Sequence, residues 1–202
     1  MKRTTLLFVV AMAITLLSKA QDDKILAAFS SSYLGESNKE YLASIITLEN
    51  IYDANSYPIN LRLGWLNYLK KDYAKSQSYY KKAMILEPRS IEARFGYVNP
   101  TAALQGWDDV LKTYMDILAI DANNTVVNYR VGYIYYYRKN YDEAEKYVRK
   151  VLELYPFDYD SNALLGAIFV GQGKIIEAKK YYKIALVYNP KSKEILEVLK
   201  KL

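Results

Sequence analysis

The chain opens on Lys2 and Arg3, and then runs from Thr5 to Leu17 without a charge. Beyond it, apolar and polar positions mix at helical spacing. Ile25 to Tyr33 predicts one helix and Gly35 to Asn38 a turn. Glu40 to Tyr52 predicts a second helix, on which Leu42, Ile45, Ile46, Glu49 and Tyr52 combine an apolar and a polar face. At the other end, Ser192 to Leu202 predicts an amphipathic helix with Ile195, Leu196 and Leu199 inward and Lys193, Glu194, Glu197, Lys200 and Lys201 toward water.

Between these ends the pattern repeats every 34 residues. Pro88, Pro156 and Pro190 fall in one phase, with Ala122 in the remaining slot. Gly64, Val98, Gly132 and Gly166 form a second column, and Ser76, Val110, Ala144 and Ala178 a third. Tyr80, Tyr114, Val148 and Tyr182 follow, then Ala83, Ile117, Val151 and Ala185. Small residues in the second and third columns predict two antiparallel helices in close approach, where bulk would overpack. Leu63, Val131 and Leu165 fill the space between them, and each proline stops the second helix of a pair. Reversals are expected at Lys70-Lys71-Asp72, Arg138-Lys139-Asn140 and Gly171-Gln172-Gly173. Such pairs bury their apolar faces only by stacking on neighbours.

These columns resemble the tetratricopeptide repeat, with its Leu-Gly pair, Ala, aromatic, Ala and terminal Pro. The clearest copies are Leu63-Gly64 through Pro88, Val131-Gly132 through Pro156, and Leu165-Gly166 through Pro190. The resemblance implies an all-α, right-handed superhelical solenoid of antiparallel helix pairs. It divides the chain into a degenerate hairpin at 21–56, its register shifted by about two residues, repeats at 57–90, 91–124, 125–158 and 159–192, and a capping helix at 193–202. The second repeat diverges because Pro100 falls inside its first helix, four residues after Gly96. A kink is expected there, or a restart with Asn99 as cap and Pro100 at the first helical position.

The family resemblance also implies which positions face a concave groove. In the first repeat these include Arg62, Trp65 and Tyr68, and in the second Glu92, Phe95 and Asn99. The third contributes Tyr129, Arg130, Tyr133, Tyr136 and Tyr137, and the fourth mainly small residues such as Ala163 and Ala167. The candidate ligand-binding set is therefore Arg62, Trp65, Phe95, Asn99, Tyr129, Arg130, Tyr133 and Tyr136. Aromatic rings and arginine are the side chains most enriched in binding hot spots. The remaining tyrosines, among them Tyr73, Tyr79, Tyr80 and Tyr182, are read as packing. The lysine, asparagine and arginine clamp by which some relatives hold a peptide carboxylate is not supported, because Leu61 and Trp65 stand where it needs lysine and asparagine.

Composition narrows the chemistry. With 51% hydrophobic residues and 25% charged the chain can form an ordered core, and with neither cysteine nor histidine it lacks thiolate nucleophiles, imidazole bases and the usual zinc ligands. Asp108-Asp109, Glu143 with Glu145, and Asp158 with Asp160 are spaced so that each pair splays apart. No phosphate loop, nucleophile elbow or EF-hand spacing occurs. No enzyme, cofactor or metal is expected. The start reads as an export signal: a basic end, an apolar run shorter than the roughly 20 residues of a membrane span, and Ser18-Lys19-Ala20 ahead of a cut before Gln21. The exported part, periplasmic or secreted, carries a formal charge of 6 − 3 = +3, spread along helices. Nucleic acid is not an expected partner, nor is direct membrane insertion after cleavage; self-association is compatible with the open ends of a repeat stack. The expected role is an interaction scaffold for a protein or peptide. The alternatives are a structural subunit of an envelope complex, built on convex faces or ends, and a carbohydrate-binding accessory protein.

Overall fold

A computed structural model describes residues 21–202. The export signal expected at 1–20 lies outside the described residues. Among these there are helices and turns and no strand. The chain forms two compact units that part between Gly106 and Trp107.

The first unit contains α1 (residues 21–37), α2 (Tyr41–Glu49), α3 (Tyr57–Leu69), α4 (Tyr73–Leu86) and α5 (Ile91–Ala103). The second contains α6 (Trp107–Ile120), α7 (Thr125–Tyr137), α8 (Tyr141–Leu154), α9 (Tyr159–Gly171), α10 (Ile175–Tyr188) and α11 (Lys193–Lys201). The tight connections at 70–72, 138–140 and 172–174 fold α3 on α4, α7 on α8 and α9 on α10 as antiparallel hairpins, as the repeat pattern requires. Each turn places one residue in the left-handed region: Lys71 (φ 66°), Gln105 (φ 61°), Lys139 (φ 57°) and Gly173 (φ 74°). These four are 34 apart, and only the last is the residue type that region favours. Lys39 (φ 63°) is the equivalent residue 32 before Lys71, which is the two-residue shift of the first hairpin.

The glycine column is where the paired helices touch. A Cβ on Gly64 would lie 3.0 Å from the Tyr80 ring, one on Gly166 2.8 Å from Tyr182, and one on Gly132 2.6 Å from Cγ2 of Val148. The glycines therefore make room chiefly for the aromatic or valine four positions after the small column. That column is engaged too: the Ser76 hydroxyl donates to the Gly64 carbonyl at 2.7 Å, and Ala144 and Ala178 are buried. In the second unit Leu165, Ile168, Phe169 and Ile195 join this contact in one core, which α11 closes with its apolar face.

The loop entering each repeat is held by a column that the sequence pattern did not single out. Asn60, Asn128 and Asn162, in one phase of the 34-residue period, each donate two hydrogen bonds, to the carbonyls four and six residues back. Arg94 fills the intervening slot and donates to the carbonyls of Ser90 and Pro88. N-terminal capping recurs at the same period: Ser90, Asn124, Asp158 and Ser192 each accept from the backbone N–H three residues on.

Two expectations are corrected. α1 runs on through residue 37, so Gly35 lies inside a helix instead of a turn; its missing side chain makes room for the Ser44 hydroxyl of α2. α5 runs unbroken from Ile91 to Ala103 with Pro100 inside it, and Asn99 caps nothing. Pro100 brings no N–H to the Gly96 carbonyl, but it stands within the last turn, and the helix closes with Leu104 N–H on the Pro100 carbonyl at 3.1 Å. One lost bond so near the end does not break a helix packed against α4.

Candidate functional site

The eight candidate residues fall in two separate places, one in each unit. In the first unit α1, α3, α4 and α5 enclose a cavity of about 370 Å³ that contains Arg62, Trp65 and Asn99 in its wall. Its apolar sides are Phe29 and Tyr33 of α1, Pro58 and Leu61 of α3, and the Trp65 and Tyr80 rings. Gly96 of α5 supplies the floor beside Tyr80; a Cβ there would fall within that ring, so the glycine lets α5 close on α4. Phe95 is half-buried and is not part of this wall.

Arg62, one of the groove candidates, is committed to contacts within the unit. It is only 7% exposed, its Nε and Nη2 donate to the Ser32 hydroxyl (3.1 Å) and carbonyl (3.0 Å), and Nη1 forms an ion pair with Glu36. Its charge also lies over the Tyr33 ring, 3.9 Å from the centroid. Burying a cation requires a partner that neutralises it, and here α1 provides all of them, so Arg62 serves to lock α1 onto α3. Trp65 is oriented by the same carboxylate, donating its indole N–H to Glu36 Oε1 at 2.8 Å.

Two polar groups of this cavity keep unused capacity. Tyr80 is 3% exposed, yet its hydroxyl has no hydrogen-bond partner among the described residues, and burial, then the nearby Glu92 charge, raises its pKa. Glu92, in the first turn of α5, accepts from Tyr57 Oη at 3.2 Å and makes no ion pair among the described residues. Neither Glu36 nor Tyr80 was a candidate in the sequence. Glu36 sits in the shifted first hairpin, and Tyr80 belongs to a packing column.

In the second unit the candidates share one helix, α7. Tyr129, Tyr133 and Tyr137 are four apart and form a row of touching rings: the first two stack with centroids 6.2 Å apart, and the second two are tilted by 55° with centroids 4.7 Å apart. Tyr133 is 42% exposed and Tyr137 66% exposed. The Tyr133 hydroxyl donates to that of Tyr137 at 3.0 Å, and this bond, ahead of partial burial, pushes the Tyr133 pKa up to about 12. Tyr129 and Tyr136 instead lean on the core, Tyr136 touching Tyr141, and burial raises both pKa values. Arg130 is exposed beside the row and donates to Tyr114 Oη at 3.4 Å. α7 therefore presents a ridge of two accessible rings with a guanidinium at its edge.

Several of the carboxylates considered for chemistry have structural roles. Asp108 pairs with Arg138 at 2.7 Å, Glu145 with Arg149 at 2.7 Å, and Asp158 caps α9. Among the described residues no cluster of acidic side chains could hold a metal ion, and no helix is long and apolar enough to cross a membrane.

Two segments, residues 57–89 and 126–158, match the tetratricopeptide repeat. No curated protein sequence matches the chain significantly. Solved structures do resemble it. A MamA protein is 18% identical with a TM-score of 0.73 over 85% of this chain and 94% of its own. A tetratricopeptide repeat protein from Parabacteroides merdae is 15% identical, with a TM-score of 0.77 over 88% of this chain and 71% of its own. MamA from Desulfovibrio magneticus, from residue 41 to its end, is 14% identical with a TM-score of 0.71 over 85% and 98% of the two chains. At such identities the likeness is one of fold, and it agrees with the matched segments, the hairpins and the 34-residue columns: the chain carries tetratricopeptide repeats and has the fold of tetratricopeptide repeat proteins.

Proposed function

We propose that the protein is a non-enzymatic interaction scaffold working outside the cytoplasm, and that it holds an extended segment of a partner protein against its first helices. The observation that carries this reading is the α7 ridge. A folded protein in which the Tyr133 and Tyr137 rings pack tilted against each other in the open, beside an exposed arginine, presents the kind of rigid, amphipathic surface that interfaces favour. Export rests on Lys2, Arg3, the uncharged run from Thr5 to Leu17 and the small residues before Gln21.

The test is capture from the native envelope fraction by wild type and by the Arg130→Ala/Tyr133→Ala double variant. Loss of a partner band by the variant, with helical circular dichroism retained, supports the reading; equal capture rejects it. Mass spectrometry of the native protein addresses the compartment: an N-terminus at Gln21 supports export, and an intact Met1 in a cytoplasmic fraction refutes it.

A second reading, assembly through the opposite helices, has one observation in its favour. Ile176 is 84% exposed and Val187 and Tyr188 are also exposed, all on α10, the second helix of its pair. An envelope subunit using that face would lose its partner on Ile176→Glu and keep it in the α7 variant.

A further inference from the structure

The cavity in the first unit is chemically unlike the α7 ridge, and its charges indicate what it takes. Its arginine is neutralised by Glu36, also donates twice to Ser32, and is only 7% exposed, so it offers little to an anion. Glu92, exposed at the rim and hydrogen-bonded by Tyr57, is the wall's one carboxylate and makes no ion pair among the described residues, and Tyr80 and Asn99 leave acceptor oxygens in the same wall. Around these stand the rings of Phe29, Tyr33 and Trp65. Rings that flank an acceptor-rich, negatively charged site favour a cation on an apolar stem. A volume of about 370 Å³ is near the small end of ligand pockets, roughly 300–1,000 Å³, which suits one long side chain with its own backbone and excludes a helix.

We propose that this cavity binds a lysine or arginine side chain of the partner segment. The ammonium or guanidinium forms an ion pair with Glu92 and donates to the Tyr80 hydroxyl, while the methylene stem lies between Trp65 and the α1 rings. An anionic residue would meet Glu92 without a free cation to oppose it. A purely apolar residue would leave the Tyr80 hydroxyl unpaired and bring no charge to Glu92, which a cation supplies. The proposal rests on the scaffold reading and names the chemistry of one partner residue.

Its test uses the indole N–H resonances of the chain's two tryptophans, Trp65 in the cavity and Trp107 in the other unit. ¹⁵N-labelled protein is titrated with Ac-Ala-Ala-Xaa-Ala-Ala-NH₂, where Xaa is Lys, Arg, norleucine or Glu. The Lys or Arg peptide is expected to shift the Trp65 resonance saturably and leave Trp107 in place, with norleucine and Glu peptides weaker by about fivefold or more. Glu92→Gln should bring the basic peptide down to the norleucine level, and Tyr80→Phe should weaken it while keeping the ring. Tighter binding of the Glu peptide, equal binding of norleucine, an unchanged affinity in Glu92→Gln, or a still Trp65 resonance overturns the proposal. The scaffold reading is judged separately by the α7 double variant: lost capture there with no basic preference here leaves the scaffold standing and this site refuted.

Discussion

Gly132→Ala examines the helix contact on which the repeat register depends. In an exposed helix interior this change stabilises by about 1 kcal/mol, because alanine is the better helix former. Here the new Cβ would lie 2.6 Å from Cγ2 of Val148 and 3.2 Å from the carbonyl oxygen of Ala144. The first distance is about 1 Å short of an ordinary carbon–carbon contact, roughly 3.5–4.0 Å. Val148 is fully buried and β-branched, so it is held in one rotamer, and the Ala144 oxygen belongs to the backbone of α8. Overpacking of this kind costs about 1–3 kcal/mol. Set against the propensity gain, the net effect is a loss of about 1 kcal/mol. Val148→Ala by itself removes two buried carbons and should cost about 2 kcal/mol. In that background the contact with Cγ2 is gone and only the tight approach to the Ala144 oxygen remains, so Gly132→Ala should cost less than in wild type, with a coupling of about 1–3 kcal/mol between the two sites. Urea unfolding of the four proteins with unchanged m-values measures it. Additive effects, or a Gly132→Ala variant more stable than wild type, would refute this account of the glycine column.

Gly173 has φ 74° and nothing within 4 Å of a built Cβ, so Gly173→Ala tests backbone strain alone; a loss of about 1–2 kcal/mol in urea melts is expected, and none if the turn relaxes. Asn162→Ala removes two buried donors from the carbonyls of Pro156 and Asp158 and should cost about 1–3 kcal/mol in thermal melts, against little for exposed Lys183→Ala. Burial raises the Tyr182 pKa to about 12 and also raises that of Tyr80. The unfolded tyrosines lose protons first, near their ordinary value of about 10. Above that pH the folded state binds more protons than the unfolded one, so stability should fall as pH rises from about 10 to 12. Tyr182→Phe should flatten the decline in urea titrations; an identical slope would contradict it.

Most of the fold was legible because stacking helices at a fixed period forces small, large and helix-stopping residues into columns. The glycines, the prolines and the hairpin turns all declared themselves that way. The asparagine column at 60, 128 and 162 was equally periodic and went unread, since asparagine suggests a surface residue and its partners are backbone carbonyls without a sequence signature. The contacts of Arg62 were illegible for a different reason. Its partners Ser32 and Glu36 lie in a hairpin whose register is displaced by two residues, so no 34-residue column links them to it. Pro100 looked disruptive because a proline's effect depends on its distance from the helix end, which the sequence leaves open. Tyr80 shows the limit of treating a column as packing: its ring does fill the core, while its hydroxyl faces a cavity that exists only once α1, α3 and α5 assemble around it. Tyr129, Tyr133 and Tyr137 were visible as a stripe by spacing alone, but which rings stay open depends on the α9 side of the core, against which Tyr129 leans.

The central claim is that a partner lies against the first helices. A photo-crosslinking amino acid placed in turn at Tyr133 on α7 and at Ile176 on α10, in cells that make the native partner, tests it most directly. Both sites are exposed, so both probes are accessible and either can report a neighbour. The account predicts a partner adduct from position 133 that disappears when Arg130 is also replaced by alanine, and no adduct of that mass from position 176. An adduct from 176 with none from 133 would contradict it and place the interface on the second helices.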